Sequence, residues 1–278
     1  MEKLSQLIRD VFRLCAGYWP VYLNGMKNTV VLALIGTALG CLIGFVCGIL
    51  NTLPVDPNDR PWRRWLIRAV RALVRVYVEL FRGTPMVLQA VFIYYARPYV
   101  TDGAARFTSV WAASILVVSV NTGAYMTESV RGGIISVDPG QAEGALAIGL
   151  SHVQAMLYVI LPQAVRSILP QIGNNFIINL KDTSVMFMIS FTDFFAAHRG
   201  VVGATYSYFP SAVIEMAGYL TMTLLSSFLL RKAEKKLEGS SSYELVAADS
   251  LTLTSGTYRY PSTEGPFGER SREFPGKE

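Results

Sequence analysis

Two long stretches without a charged side chain constrain this chain more than any other feature of its sequence. Residues 28–55 and residues 107–127 contain no Asp, Glu, Lys or Arg. A third stretch, residues 200–230, is interrupted only by Glu215. The hydrocarbon core of a bilayer is crossed by about 20 apolar helical residues. Because a helix of a soluble protein needs only one apolar face, three such runs predict an all-α, polytopic membrane helix bundle.

We predict about five transmembrane helices from these runs and from two less regular segments. The expected spans are residues 29–50, a helix ending near residue 97, residues 107–129, residues 168–189 and residues 210–230. Residues 138–162 are less apolar and are expected to form short interfacial or cytoplasmic helices. The transmembrane domain then covers residues 1–238. Residues 239–278 are rich in Ser, Thr, Gly, Pro and charge, which predicts a disordered cytoplasmic tail.

The distribution of basic residues indicates the orientation. Seven arginines lie between Arg60 and Arg82, and the positive-inside rule places such a segment in the cytoplasm. The basic residues that follow the fifth span indicate the same side. Five spans therefore place the N-terminus outside and the C-terminus in the cytoplasm. The basic residues before the first span, Lys3, Arg9, Arg13 and Lys27, argue in the opposite direction but are fewer.

A regular glycine pattern marks the first span. Gly36, Gly40, Gly44 and Gly48 recur every four residues and therefore share one helix face. Small residues at this spacing let another helix approach closely, within the subunit or between subunits. The alternative is that glycine is simply common in membrane helices.

The segment from Gly140 to Pro162 reads GQAEGALAIGLSHVQAMLYVILP. Its small residues surround one acid, Glu143, and Gly149 precedes a second short helix. A small, polar, helical projection is suited to a groove of another protein, although an ordinary loop between two spans has a similar composition.

This segment resembles the EAA loop of permease subunits of ATP-binding cassette (ABC) importers. Glu143, Gly149 and the Leu161–Pro162 pair match that pattern at its spacing, whereas Gly144 and Val159 replace an Ala and an Ile. The resemblance implies a cytoplasmic coupling helix that docks on a separate ATPase subunit. The residues implied in that contact are Glu143, Gly144, Ala145 and Gly149.

Three further blocks resemble the polar-amino-acid branch of the same family. They are YVELFRGTPMVLQ at 77–89, NTGAYMTESVRGGI at 121–134 and NNFIINLKDTSV at 174–185. The resemblance covers about residues 20–238. It implies uptake of polar amino acids across the bacterial inner membrane. The implied partners are an ATPase, an extracytoplasmic solute-binding protein and a second permease copy or paralogue.

Four polar residues are candidates for the substrate pathway: Gln89, Asn175, Lys181 and Asp182. Ionisable groups at membrane depth are costly and usually face the bundle interior or a wet cavity. The alternative is that they lie at a helix end, or bond to neighbouring helices. The polar-amino-acid branch often has Glu where this chain has Asn175, which favours a neutral or acidic amino acid over a cationic one.

The sequence argues against catalysis by this chain. It has no G-x-x-x-x-G-K-[ST] phosphate loop, so ATP and Mg²⁺ are expected on the partner ATPase. His152 and His198 stand alone, which predicts no metal site, no bound cofactor and no catalytic centre. A secondary transporter would show two related halves, a membrane enzyme would need a nucleophile–base set, and a structural or signalling protein would not explain the polar residues in the fourth span.

Overall fold

The computed structural model describes residues 2–53 and 60–238, and that part of the chain contains helices and no strand. Its α-helices are α1 (Glu2–Thr52), α2 (Pro61–Gly83), α3 (Met86–Val100), α4 (Val110–Ile135), α5 (Pro139–Ala147), α6 (His152–Ala155), α7 (Leu161–Asp182), α8 (Phe194–Thr205) and α9 (Tyr208–Glu238). A π-helical turn, Met156–Ile160, joins α6 to α7, and a 3₁₀ turn, Thr183–Ile189, follows α7. The predicted tail, residues 239–278, lies outside the described residues.

Four helical segments are long and apolar enough to cross a membrane. They are α1, α4, the continuous run His152–Ile189 and α9. Helices α2 and α3 form a fifth span if the pair is counted as one, because they are bent by 112° at a short break. The predicted all-α polytopic bundle with about five spans is confirmed.

Two helix starts differ from those expected, and one helix was not expected. Helix α1 continues through Pro20 and spans Glu2–Thr52, instead of starting near residue 29. Helix α7 starts at Leu161, earlier than the expected residue 168, and Pro162 lies in its first turn. Helix α8 was not predicted. It begins after Asp193, whose carboxylate accepts hydrogen bonds from the N–H groups of Ala196 and Phe195 and caps the helix.

The glycine face of α1 packs against α4 of the same chain. A Cβ atom added to Gly36 would lie 2.4 Å from Val118, and one added to Gly44 would lie 2.3 Å from Met126. Gly40 and Gly48 approach Thr122 and Val130 in the same way, at 2.6 Å. The contact predicted from the glycine spacing is therefore made within the subunit. Since residue numbers rise together along both helices, α1 and α4 run parallel.

Helix α7 runs in the opposite direction to α4. Asn179 Nδ2 donates to Thr122 Oγ1 at 2.9 Å, Asn175 lies next to Met126, and Gly133 packs against Ile168. Numbers on α7 therefore fall as those on α4 rise. Two parallel spans that follow one another in the chain need a return crossing between them. Only α2 and α3 lie between α1 and α4, which favours counting this pair as one span and brings the candidate spans among the described helices to five.

Candidate functional site

Helix α5 and the turn after it form a short helical segment between α4 and α7 that is capped at both ends. Asp138 Oδ1 accepts from Gly140 N at 2.7 Å and caps the start of the helix. At the other end, Leu150 N donates to Ala145 O at 3.1 Å and Gly149 N donates to Leu146 O at 3.0 Å. Gly149 has a φ of +91°, a left-handed conformation that glycine adopts without steric cost. The Gly149 backbone therefore fixes where the helix stops.

This projection presents an exposed surface of mixed character. Glu143 and Gly144 are exposed, and a Cβ atom at Gly144 would meet nothing within 4 Å. Ile148 is 80 % exposed and Val153, on α6, is 67 % exposed. Ala145 is only 3 % exposed, so it faces the body of the protein. Three of the four predicted coupling residues are thus available to a partner, and Ala145 supports the helix from beneath.

Gln89 is buried at the break between α2 and α3 and bonds to the backbone there. Its Nε2 donates to Phe81 O at 2.8 Å and to Thr84 O at 2.9 Å, and its Oε1 accepts from Asn121 Nδ2 at 2.9 Å. Backbone carbonyls freed by a break inside a membrane must find donors within the protein. Gln89 therefore stabilises the bent span, and its amide is already occupied by these bonds.

Asn175 and Asp182 lie at different levels of α7. Asn175 is 6 % exposed, and its Nδ2 donates to Gln171 O at 2.9 Å. Asp182 is exposed at the last residue of the helix. The structure thus does not bring these two residues together with Gln89 into one cluster.

Lys181 lines an open cavity of about 690 Å³ between the end of α7, α8 and α9. Across it lie Glu215 and Tyr219 of α9, and Ser184 of the 3₁₀ turn also contributes to the wall. Of the four predicted pathway residues, Lys181 is the one that lines this cavity.

Behind Glu215 lies a buried polar cluster that joins α1, α8 and α9. Ser211 Oγ lies 2.7 Å from Tyr22 Oη and 2.9 Å from His198 Nδ1. His198 Nδ1 is also 3.6 Å from Glu215 Oε2. Burial lowers the pKa of His198, a hydrogen bond with Ser211 opposes the shift, and Arg199 adds to it, so the neutral form of the ring is favoured. His198 is therefore a neutral polar neighbour of Glu215 and not a cationic one.

Asp193 completes this region at the start of α8. It is fully buried, and burial raises the pKa of its carboxyl to about 6, although the N–H groups of Ala196 and Phe195 oppose the shift. Tyr219 Oη donates to Asp193 Oδ2 at 3.4 Å. The same carboxyl thus caps α8 and bonds to a tyrosine that lines the cavity.

Sequence reasoning missed Glu215 and His198 as members of a site. One signal for Glu215 was available, because no other Asp, Glu, Lys or Arg lies in the stretch 200–230 and charged residues within a span usually mark function. His198 offered no comparable signal, since its neighbours come from α1 and α9.

Comparison with known proteins places this helical arrangement in context. Residues 64–238 match the family model described as the inner membrane component of binding-protein-dependent transport systems. The glutamine transport system permease protein GlnP of Escherichia coli (strain K12) is 32 % identical over 219 residues, which cover 79 % of this chain and 94 % of that protein. A putative glutamine transport system permease of Rickettsia bellii is 34 % identical over 202 residues, 72 % of this chain and 87 % of the relative.

Solved structures share the fold. A crystal structure described as an amino acid ABC transporter with histidines superposes with a TM-score of 0.70 at 31 % sequence identity, covering 81 % of this chain and 98 % of the other. An inward-facing structure of the MetNI methionine ABC transporter gives a TM-score of 0.57 at 18 % identity, over 78 % of this chain and 94 % of the other, and shows likeness of fold alone.

Proposed function

Since this chain belongs to the family of inner membrane components of binding-protein-dependent transport systems, and is a permease subunit of an amino acid ABC importer, we propose that it carries polar amino acids, with neutral or acidic ones preferred over cationic ones. It is a multi-pass inner membrane protein and not an enzyme, and ATP is hydrolysed on a separate ATPase subunit. We propose that ATP and Mg²⁺ bind there and that this chain holds no cofactor.

The neutral side chain at position 175 carries the proposed preference. Asn175 is buried, and it occupies a place in the NNFIINLKDTSV segment where the resembling branch often has Glu. A carboxylate there would stabilise a cationic side chain by charge pairing, which an amide does to a much smaller extent. The relatives named for glutamine transport, whose substrate has a neutral side chain, support the same direction.

The proposed mechanism is alternating access driven through α5. ATP binding closes the ATPase pair, and the movement passes through the contact made by Glu143, Gly144 and Gly149. The rigid capping of α5 supports this role, because a helix fixed at both ends transmits displacement without deforming. A solute-binding protein delivers the amino acid from outside. A second permease copy or a paralogue completes the pathway, and Gln89, Asn175, Lys181 and Asp182 stay candidates along it.

Uptake of a labelled amino-acid panel tests the proposed function. Cells lacking this chain are compared with the same cells after it is restored, and the panel includes glutamine, glutamate, histidine, lysine and arginine. We expect ATP-dependent accumulation of a neutral or acidic member. The control is a strain that carries the restored chain but lacks the ATPase subunit.

The outcomes separate the main alternatives. Lysine or arginine as the best substrate would contradict the proposed preference. Uptake that persists without ATP but collapses with the proton gradient would indicate a secondary transporter. Failure of every amino acid, with the chain shown to be inserted, would contradict amino acids as the solute class.

A further inference from the structure

Helix α2 is held against the bundle by one narrow face. That face is apolar and buried, and it consists of Ile67, Val74 and Val78. Beside it, Arg71 Nη2 donates to Leu53 O just after the end of α1, and Tyr77 Oη donates to Val120 O of α4 at 2.6 Å. These contacts fix the rotation of α2, so the positions of its other two faces are determined as well.

The first of these other faces is basic, and we call it the arginine flank. It consists of Arg64, Arg68 and Arg75, whose spacing of four and seven residues places them on one side of the helix. Arg68 and Arg75 are exposed, and Arg64 is half-buried. Within the described part of the chain, none of the three takes part in a salt bridge or a side-chain hydrogen bond. Glu79, the one acid of α2, lies on the same side, so the flank keeps an excess of positive charge.

The second face is apolar but exposed, and we call it the apolar flank. It consists of Trp62, Trp65, Leu66, Leu73, Val76 and Leu80. Trp62 is 62 % exposed and Trp65 is 71 % exposed. Tryptophan is enriched where a membrane meets water, because its amphipathic ring sits at the level of the headgroups. The apolar flank is therefore suited to lipid.

The angle of α2 agrees with a place at the membrane surface. Its axis is bent by 112° from that of α3, so the two helices cannot both run along the membrane normal. A helix with separate basic and apolar flanks, and with tryptophan on the apolar one, is typical of an interfacial helix. In that position the arginines reach the phosphate groups of lipids, and the planar guanidinium group suits a phosphate by forming two parallel hydrogen bonds.

We propose that the arginine flank of α2 binds the phosphate groups of anionic phospholipids such as phosphatidylglycerol, while the apolar flank lies among their acyl chains. This interaction is separate from the import function, because it does not depend on which solute is carried. It would anchor α2 at one depth in the bilayer. Since Arg71 and Tyr77 connect α2 to the end of α1 and to α4, the same lipids would support the packing of those spans.

Lipid binding to the purified complex tests this proposal. The chain and its ATPase are purified together in a neutral detergent, freed of native lipid, and titrated with phosphatidylglycerol or with phosphatidylcholine of the same acyl chains. Native mass spectrometry gives the number of bound lipids and their dissociation constants. The wild type should bind phosphatidylglycerol more tightly, and added salt should weaken that preference by screening the charges.

Substitutions on the arginine flank should reduce this preference. Arg68→Gln and Arg75→Gln should each weaken the binding of phosphatidylglycerol about fivefold, the contribution typical of one basic residue near an anionic membrane surface. A triple variant that also carries Arg64→Gln should lose most of the preference. Replacing the same three residues by lysine keeps the charge and should retain most of it. Binding of phosphatidylcholine should be the same in all of these variants.

The matched control removes three positive charges from exposed positions of α1, as Lys3→Gln, Arg9→Gln and Lys27→Gln. It should keep the preference of the wild type. An equal loss in this control would mean an effect of net charge alone and would overturn the proposal. A wild type that binds both lipids equally, or a triple glutamine variant with unchanged preference, would do the same.

The same samples show whether the ATPase occupies the arginine flank instead. Release of the ATPase from the triple glutamine variant, with the lipid preference unchanged, would indicate a protein-docking surface and would contradict lipid binding. We expect the ATPase to stay bound in detergent without lipid. Because no amino acid takes part in these measurements, their failure would leave the import function untouched.

Discussion

Glu143 is the residue on which coupling to the ATPase is expected to depend most. It stands exposed in the middle of α5, whose ends are fixed by Asp138 and Gly149. The side chain takes no part in any hydrogen bond within the described residues, so its charge is available to a partner. Changing it should alter docking without altering the fold.

We therefore expect Glu143→Lys to leave the subunit folded and inserted but to uncouple ATP hydrolysis from uptake. Charge reversal at a docking contact replaces attraction with repulsion. Amino-acid uptake and ATPase activity of the same reconstituted complex provide the measurement. Glu79→Lys, on an exposed position of α2, is the matched control. Normal coupled uptake in the Glu143 variant would remove the basis for this assignment.

Asp193 is the residue for which the structure predicts a clear pH dependence. Its pKa is raised to about 6 in the folded protein from an ordinary value of 3.8. The stability contributed by its protonated form is thus fully present below about pH 4 and is lost as the pH rises through 6. His198, whose pKa is lowered, contributes in the opposite direction and is lost on acidification.

Comparing the wild type with Asp193→Asn tests how the titration of this aspartate changes the free energy of unfolding. Asparagine also caps helix N-termini, so the variant keeps α8 in place and removes the titration. Between about pH 4 and pH 6, the free energy of unfolding of the wild type in detergent should fall relative to that of the variant. Asp102→Asn, in an exposed loop, should follow the wild type. An identical pH profile for Asp193→Asn and the wild type would contradict the raised pKa.

At the scale of elements, α1 and α4 pack closely along a face of four glycines. Each glycine of the α1 face meets a side chain of α4, and the approach is too close for a Cβ atom. Membrane helices gain little from hydrophobic burial against each other, since lipid is equally apolar. Close backbone packing therefore holds α1 to α4. Hydrogen bonds connect α7 to this pair; Asn179 Nδ2, for example, donates to Thr37 Oγ1 of α1 at 2.8 Å.

Alanine substitution along α1 should separate packing from helix propensity. Gly44→Ala places a Cβ atom 2.3 Å from Met126 Cβ and 2.8 Å from its backbone carbon, which cannot move aside freely. We expect a loss of about 1–3 kcal/mol, as for overpacked cores. Gly17→Ala meets nothing within 4 Å and should be neutral or stabilising, because alanine favours helix more than glycine. Detergent denaturation measures both, and equal effects would contradict the tight contact.

The break between α2 and α3 is bridged by the side chain of Gln89. Gln89 bonds to two carbonyls at the break and to Asn121 of α4. Nearby, Tyr77 Oη donates to Val120 O at 2.6 Å. These bonds connect the bend to the parallel helix pair, so a movement of α4 reaches α2 directly.

At the scale of the whole molecule, helix directions determine the number of crossings. Parallel α1 and α4 require α2 and α3 to return the chain, and antiparallel α7 returns it again before α9. We propose, from the arginines between residues 60 and 82, that the loop between α3 and α4 lies outside and that α5 lies in the cytoplasm.

Thiol labelling checks this orientation. In a variant without Cys15, Cys41 and Cys47, single cysteines are introduced as Ala104→Cys between α3 and α4 and as His152→Cys at α6, both at exposed positions. A membrane-impermeant maleimide should label Ala104→Cys in intact spheroplasts and His152→Cys only after permeabilisation. The reverse pattern would place the N-terminus in the cytoplasm.

Much of the fold was predictable from the sequence because spans leave a local signal. The uncharged stretches in α1 and α4 mark two of the spans, although α1 begins well before its uncharged stretch. The early start of α7 and the existence of α8 were not predictable in this way. Helix α8 is short, and it depends on Asp193 being buried against α1 and α9, which no local pattern reports.

In the candidate site, too, the sequence could identify individual residues but not their surroundings. The segment that we propose for coupling could be singled out because its residues are contiguous from Gly140 to Pro162. Gln89 and Lys181 were both singled out as polar residues in spans. Only their surroundings distinguish Gln89, which bonds to the backbone at a bend, from Lys181, which opens onto a cavity.

The sequence by itself determined the membrane-spanning class and the approximate helices, since both depend on hydropathy, and it located the segment 140–162 that we propose for coupling, since that segment is contiguous in the chain. Tertiary structure alone decided that the α1 glycines serve α4 and that Glu215 shares a cavity with Lys181. The physical reason is that such contacts depend on helix direction and rotation. Both are set by packing between segments that lie far apart in sequence.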